Sequence, residues 1–217
     1  MEILYKSKNA VVINKPFGMP SQPDPSGDVD AMTLTAKALR ELGERDELHI
    51  INRLDRVVGG LMLFARNKRS AAALSEALGN GRITKRYRAV LEGRATFGTL
   101  SDYIYKDARL SRAIISKTKK PMYKPCLLEY KTVDCKSTER GERSLVEIEL
   151  ITGRYHQIRA QLSSRGLAVL GDKKYGAKDR AEEGIALMSS YLCFPEGEEI
   201  RGIHLAPNRE KYPWSLF

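Results

Sequence analysis

Of the 217 residues only three are cysteine, three are histidine and one is tryptophan. Cys126, Cys135 and Cys193 are odd in number and form no C-x-x-C pair, which argues against a disulfide-stapled scaffold and for reduced, mostly buried thiols. His49, His156 and His204 are scattered, with no H-x-x-x-H spacing and no Cys/His cluster, so no metal site is expected. No segment approaches the roughly 18 consecutive apolar residues of a membrane span. The opening MEILYKSKNAVVINK lacks the charged, apolar and small-residue regions of a signal peptide. These absences together predict a cytoplasmic protein with no membrane contact. Internal repeats and low-complexity tracts are also missing, and with 42% hydrophobic and 29% charged residues the composition is that of an ordinary globular chain. At this length one large domain spanning 1–217 is the simplest expectation.

The sequence is rich in positive charge, and the charge is localised. The net charge is +10, and residues 81–124 hold twelve Lys and Arg against three Asp and Glu. The flanking parts of the chain are close to balanced. A polyanion would meet a strong local field there, because each phosphate neutralised releases counterions. Nucleic acid is the partner this composition favours. Neither a helix-turn-helix nor a zinc pattern is present, which disfavours a DNA-binding module.

Along the chain, Val11–Ile13 reads as a short buried strand that breaks at the Lys15-Pro16-Phe17-Gly18 turn. Asp30 caps a predicted helix with Leu34, Ala38 and Leu42 on one stripe, stopped by Gly43. Leu61–Ala65 is an apolar run of strand length, expected in the middle of a sheet. Ser70–Leu78 places Ala71, Leu74 and Leu78 on a helical stripe ending at Gly79. Tyr87–Leu91 and Leu145–Ile151 read as strands, the second with Glu147 and Glu149 alternating against Val146, Ile148 and Leu150. Tyr155, Ile158 and Leu162 then recur at helical spacing. Pro20–Asp30 and the lysine-crowded Ser111–Pro125 are the expected mobile segments. The class is α+β around a mixed, largely antiparallel sheet flanked by helices and loops.

Three constellations carry chemistry. Asn52-Arg53-Leu54-Asp55-Arg56 places a carboxylate between two arginines, just before Gly59-Gly60 and the buried strand. Nearby positive charge can hold such a carboxylate ionised despite partial burial; a turn Asp that only accepts backbone hydrogen bonds would look the same locally. Thr152-Gly153-Arg154-Tyr155-His156-Gln157-Ile158-Arg159 puts His156 and Arg159 three residues apart at a predicted helix start, where phosphate is attracted. Lys85-Arg86-Tyr87 sets an aromatic among cations, suited to base stacking with phosphate anchoring.

Taken in order, these segments resemble the RluA-type pseudouridine synthases. Asn52-Arg53-Leu54-Asp55 through Gly60-Leu61-Met62-Leu63-Phe64-Ala65 is similar to their H-R-L-D-x-x-x-S-G-L-L-L-x-A signature. Val11 to Gly18 resembles their opening strand and K-P-x-G turn, and Lys85-Arg86-Tyr87 their K-x-Y segment. Thr152 to Arg159 resembles T-G-R-x-H-Q-I-R, and Leu170-Gly171-Asp172 with Tyr175-Gly176 the L-G-D-x-x-Y-G that follows. The resemblance runs from about residue 10 to about residue 200. Asn52 stands where the family has His, Val57-Val58-Gly59 replaces a Thr-Ser-like approach to Gly60, and Leu187-Met188-Ser189 replaces L-H-A.

The resemblance implies an isomerase that converts uridine to pseudouridine in structured ribosomal or transfer RNA, without a cofactor. Asp55 is then the catalytic carboxylate, acting as nucleophile at the ribose or first as a base. Tyr87 would lie against the target base, Arg159 would pair with Asp55, and Arg53 would fill the space left by a flipped nucleotide. Arg56, Lys85, Arg86, Arg154, His156, Lys117, Lys119 and Lys120 are the expected RNA contacts. Only about ten residues precede the first matching strand, so no separate N-terminal RNA-binding domain is expected. Nothing implies an obligate protein partner, and a monomer suffices. The alternative from another class is a non-catalytic RNA-binding or ribosome-assembly protein that retains the fold.

Overall fold

A computed structural model describes residues 1–217. In chain order its first elements are β1 (Glu2–Lys6), β2 (Ala10–Lys15), α1 (Ala31–Glu41), β3 (His49–Ile50), β4 (Gly59–Ala65) and α2 (Lys68–Gly79). There follow β5 (Thr84–Glu92), β6 (Phe97–Asp107), β7 (Arg112–Ser116), β8 (Lys124–Thr138) and β9 (Gly141–Leu150). The last are α3 (Gln157–Ser163), β10 (Leu187–Glu196) and β11 (Glu199–His204). They group into two compact units, Met1–Lys85 with Met188–Ala206, and Arg86–Leu187 with Pro207–Phe217.

The first unit is built on β4, every residue of which is buried. It pairs antiparallel with β2, Val11 opposite Phe64 and Ile13 opposite Met62, and parallel with the start of β10, Met188 opposite Gly59. β1 flanks β2, and β11 folds back on β10. Apolar residues cover both faces: Val12, Leu61 and Leu63 with Leu74 of α2 and Phe194, and Val11, Ile13, Met62 and Phe64 with Leu39 of α1. A strand buried on both sides has no solvent face to alternate toward, which is why 61–65 is a continuous apolar run.

The first helix begins as expected and the second earlier, and both bury stripes different from those expected. Asp30 caps α1 by accepting from Thr33 N at 2.9 Å, yet the buried positions are Ala31, Thr35 and Leu39, while Leu42 is exposed. The stripe shifts because Thr35 enters the core with its hydroxyl satisfied, donating to the Ala31 carbonyl at 2.6 Å, which removes the cost of burying it. In α2 the buried positions are Ser70, Leu74 and Ala77, and the helix starts two residues earlier, at Lys68, behind the Asn67 cap that accepts from Ser70 N at 2.8 Å.

The second unit is an antiparallel run in which β9 pairs with β5 and β8, and β6 with β8 and β7. β9 alternates as expected, with Val146, Ile148 and Leu150 buried. The segment 111–125 was expected to be mobile; instead its first part is β7, hairpin-paired with β6 at Tyr105 opposite Ile114. β6 and β8 were not legible as strands. In β8 a register shift between Thr132 and Asp134 breaks the two-residue period.

Two glycines just after the Asp55 loop are required by contact. A Cβ on Gly59 would lie 2.8 Å from the Phe17 ring, and one on Gly60, at φ +106, 2.2 Å from the Ser189 carbonyl oxygen. Gly18, at φ +79, has nothing within 4 Å of a Cβ. Gly18→Ala therefore meets only backbone strain and should cost about 1 kcal/mol. Gly60→Ala must also part β4 from β10 and should cost more than about 3 kcal/mol. Urea denaturation of the two variants checks this ordering.

Candidate functional site

The segment after β2 and the segment before β4 are two irregular loops of the first unit, and Lys15 ties them together. Its side chain is wholly buried. The ammonium donates to the carbonyls of Pro16 at 2.8 Å and Met19 at 2.7 Å, and more weakly to that of Arg56 at 3.4 Å. Those are three acceptors for three protons. A second tie joins the same loops: Ser21 Oγ donates to the Leu54 carbonyl at 2.7 Å and accepts from Leu54 N at 3.1 Å. Asp55 follows directly, half-exposed, and its carbonyl accepts from Val58 N at 3.0 Å to close the turn. Asp55 thus stands, partly exposed, on a backbone that is anchored on both sides.

Burial pushes the Lys15 ammonium down to about 8, although the Asp55 carboxylate pulls the other way; the Arg56 charge adds to the lowering. Arg56 itself, an expected RNA contact, is occupied within the loop pair. Its Nε donates to the Gly18 carbonyl at 3.0 Å, and its guanidinium pairs with Asp28. Arg53 is exposed. Asn52, which replaces the family His, is buried, with Oδ1 accepting from Leu63 N at 2.7 Å. Its Nδ2 has no hydrogen-bond partner, and neither has the buried hydroxyl of Ser189. Two of the departures from the family pattern thus carry unsatisfied donors in the core, each costly.

In the second unit the helical segment is shorter and more buried than its sequence suggests. His156 lies before α3 in the left-handed region at φ +52, and Gln157 to Leu162 are all buried. His156 and Arg159 are therefore buried and form no solvated polar face. The polar side chains are satisfied internally. Gln157 Oε1 accepts from Thr152 Oγ1 at 2.8 Å and Arg154 N at 3.0 Å, and Gln161 Nε2 donates to Leu100 O at 2.9 Å and Asp102 at 2.8 Å. Arg159 donates through Nε and Nη2 to the two oxygens of Asp172 at 2.6 and 2.9 Å, a bidentate geometry that fixes the guanidinium plane. Asp172 and Tyr175 both belong to the L-G-D-x-x-Y-G-like segment. Tyr175 Oη bonds His156 Nδ1 at 3.0 Å and accepts from Ala113 N at 2.6 Å, and its ring lies 5.0 Å from the Arg159 guanidinium.

The remaining expected residues are differently placed. Tyr87 is buried on β5, opposite Ile148. Lys85 is buried too, which lowers its pKa. Arg86 pairs with Glu149 at 2.9 Å across the strands. Arg154 is exposed, reaching the Pro125 carbonyl at 3.3 Å. Lys117 pairs at 3.3 Å with Asp102. Burial would raise that carboxyl, but hydrogen bonds from Arg165 and Gln161 and the charges of Arg165 and Lys117 hold it below its ordinary value. Lys119 and Lys120 are exposed. Burial raises the Cys126 thiol to about 11, which leaves it unreactive. No three His, Cys, Asp or Glu side chains converge as metal ligands do.

Solved structures supply the class. The chain matches Human RNA Pseudouridylate Synthase Domain Containing 1 with a TM-score of 0.76 at 25% identity, covering 96% of this chain and 83% of that one. Human RNA Pseudouridylate Synthase Domain Containing 4 matches with a TM-score of 0.79 at 22% identity, over 96% and 89% of the two chains, and speaks to the fold alone. The fold is that of the pseudouridine synthases. A family profile described as RNA pseudouridylate synthase matches residues 9–164, so the chain belongs to that family, and the signature around Asp55 is of its RluA type. An uncharacterized RNA pseudouridine synthase of Bacillus subtilis, YjbO, is 33% identical over 89% of this chain and 67% of its own length. A second from that organism, YhcT, is 32% identical over 81% of this chain and 58% of its own length. A ribosomal large subunit pseudouridine synthase D from Zymomonas mobilis is 29% identical over 94% of this chain and 64% of its own length. The chain thus spans roughly three-fifths to two-thirds of the length of these relatives.

The Lys15 geometry makes a pH prediction. Its folded pKa, about 8, lies below the ordinary 10.5, so between these values the unfolded chain holds the proton and the folded chain does not. The group's contribution to stability therefore rises with pH across this window and is least favourable below pH 8. The stability difference between the parent protein and Lys15→Met, measured by denaturant unfolding, should shift toward the parent between pH 7.5 and 10. A pH-independent difference would contradict the assignment.

Proposed function

We propose that the chain isomerises uridine to pseudouridine in structured RNA, ribosomal or transfer RNA, with Asp55 as the catalytic residue. The family match supports the reaction, and the name of the Zymomonas mobilis relative supports a ribosomal substrate. The observation that carries the role of Asp55 is its presentation: a partly exposed residue on a turn held by Lys15 and Ser21. A carboxylate fixed in this way is a competent covalent catalyst at a sugar carbon, and equally a competent base.

In balance, the bond from the ribose carbon to N1 of uracil breaks and the ring turns. A bond from that carbon to C5 then forms, C5 loses its proton and N1 gains one. Nothing is oxidised or hydrolysed, so the overall reaction requires no redox partner. The target nucleotide must leave its stack for the carboxylate to reach the sugar, and exposed Arg53, two residues before Asp55, is assigned to the vacated space. Tyr87 and Arg159 take the base-facing and charge-compensating roles that the resemblance implies, with the bond to Asp172 orienting Arg159. We assign the chain to the cytoplasm, acting as a monomer on RNA.

Asn52 bears on the non-catalytic alternative. It replaces a family histidine, but its side chain is buried and bonded to the β4 backbone, so the change lies beneath the loop and leaves Asp55 in place. The test expresses the chain in a host lacking its own synthases and maps pseudouridine in ribosomal and transfer RNA. The parent should create new sites, and Asp55→Asn should lower their rate of formation by about 10³-fold or more while leaving RNA affinity within about twofold. No new sites with either chain would instead identify an RNA-binding protein without turnover.

A further inference from the structure

The twelve cations of residues 81–124 divide by whether a carboxylate pairs with them. Arg82, Arg86, Arg88, Arg94 and Lys117 each pair with a carboxylate, of Glu76, Glu149, Glu147, Glu142 and Asp102, and Lys85 is buried. The six left over, Lys106, Arg109, Arg112, Lys119, Lys120 and Lys124, are all exposed. They gather at the free end of the β6–β7 hairpin and in the loop that joins β7 to β8. The positive field expected over 44 residues is thus concentrated on one edge of the second unit.

That edge is shaped as well as charged. Asp107 Oδ1 accepts from the backbone N of Arg109 at 2.9 Å and of Leu110 at 3.1 Å, so the hairpin tip is held in a defined turn. The Tyr123 ring stacks on Tyr105 of β6 with centroids 5.4 Å apart, and Lys120 Nζ lies 5.9 Å from the Tyr123 centroid. This stack lays the 117–124 loop against the hairpin. Apolar side chains stand exposed among the cations, Leu110 at 60% and Met122 at 78%. Phosphate binding alone would use the cations and leave the aromatic and apolar groups without purpose. Unpaired bases, whose faces stack on aromatic rings and apolar side chains while their phosphates meet lysine and arginine, use both.

We infer that the hairpin tip and the 117–124 loop form a docking surface for an unpaired segment of the substrate RNA, and that the paired arginines of 82–94 contribute little. This rests on the reading of the chain as an RNA enzyme. The experiment measures binding to fluorescein-labelled RNA by anisotropy at two salt concentrations, using a stem-loop and a duplex of equal length. Changing Arg109, Lys119 and Lys120 together to Gln should weaken stem-loop binding tenfold or more and flatten its salt dependence by about two phosphate contacts. Changing Arg82, Arg94 and Lys136, the last paired with Asp134 at 3.3 Å, to Gln removes the same charge and should alter affinity less than twofold. Tyr123→Leu should weaken the stem-loop about tenfold and the duplex hardly at all. Equal loss in the two triple variants would overturn the surface, and equal loss for stem-loop and duplex in Tyr123→Leu would overturn recognition of unpaired bases. Pseudouridine formation by the parent is scored in parallel: turnover with an unaffected tip variant sinks this inference alone, whereas no turnover and no binding sinks the functional reading beneath it.

Discussion

The ammonium of Lys15, withdrawn from water and shared among main-chain carbonyls of two loops, is what the presentation of Asp55 rests on. Each loop alone is a stretch of irregular backbone whose polar groups need partners. One buried cation supplies three bonds at the point where they meet, and Ser21 supplies a further pair. Beneath them Gly59 and Gly60 bring the Phe17 ring and the β10 backbone closer than any side chain would permit. The cost of burying the charge is visible in its lowered pKa; what it secures is a main chain at Asp55 that is tied on both sides.

A buried ion pair organises the other unit. Arg159 and Asp172, both almost wholly buried, meet through two parallel hydrogen bonds. Around them the α3 glutamines, His156 and Tyr175 satisfy one another and the neighbouring strands. A buried pair of this kind is weak evidence for stability. Its value lies in fixing the direction of a guanidinium, and the proposed reaction asks for that rather than for rigidity in general.

Much of this was legible in the sequence. The buried strand at 61–65, the Asp30 cap and the alternation of β9 follow from local pattern, because each depends on residues near in sequence. The proposal for Asp55 comes from its neighbours and from the ordered motifs around it. The helix stripes were displaced because a hydroxyl that bonds its own helix, as Thr35 does, enters a core that a count of apolar residues would deny it. The fate of the cations was hidden for a different reason. Whether an arginine faces solvent or a glutamate depends on strand register, and Arg88 meets Glu147 only because β5 and β9 pair as they do. The occupation of Arg56 by Asp28 and of Arg159 by Asp172 was equally out of reach, since both partners come from separate segments.

The central claim is that the Asp55 carboxylate carries the exchange of a carbon–nitrogen for a carbon–carbon bond in uridine, and that exchange must expel the hydrogen from C5. Tritium released to water from RNA labelled at uracil C5 therefore reports the step itself. The parent protein should release one tritium for each pseudouridine formed, and Asp55→Asn should release none above the enzyme-free rate. Release by Asp55→Asn at the parent's rate would contradict the account.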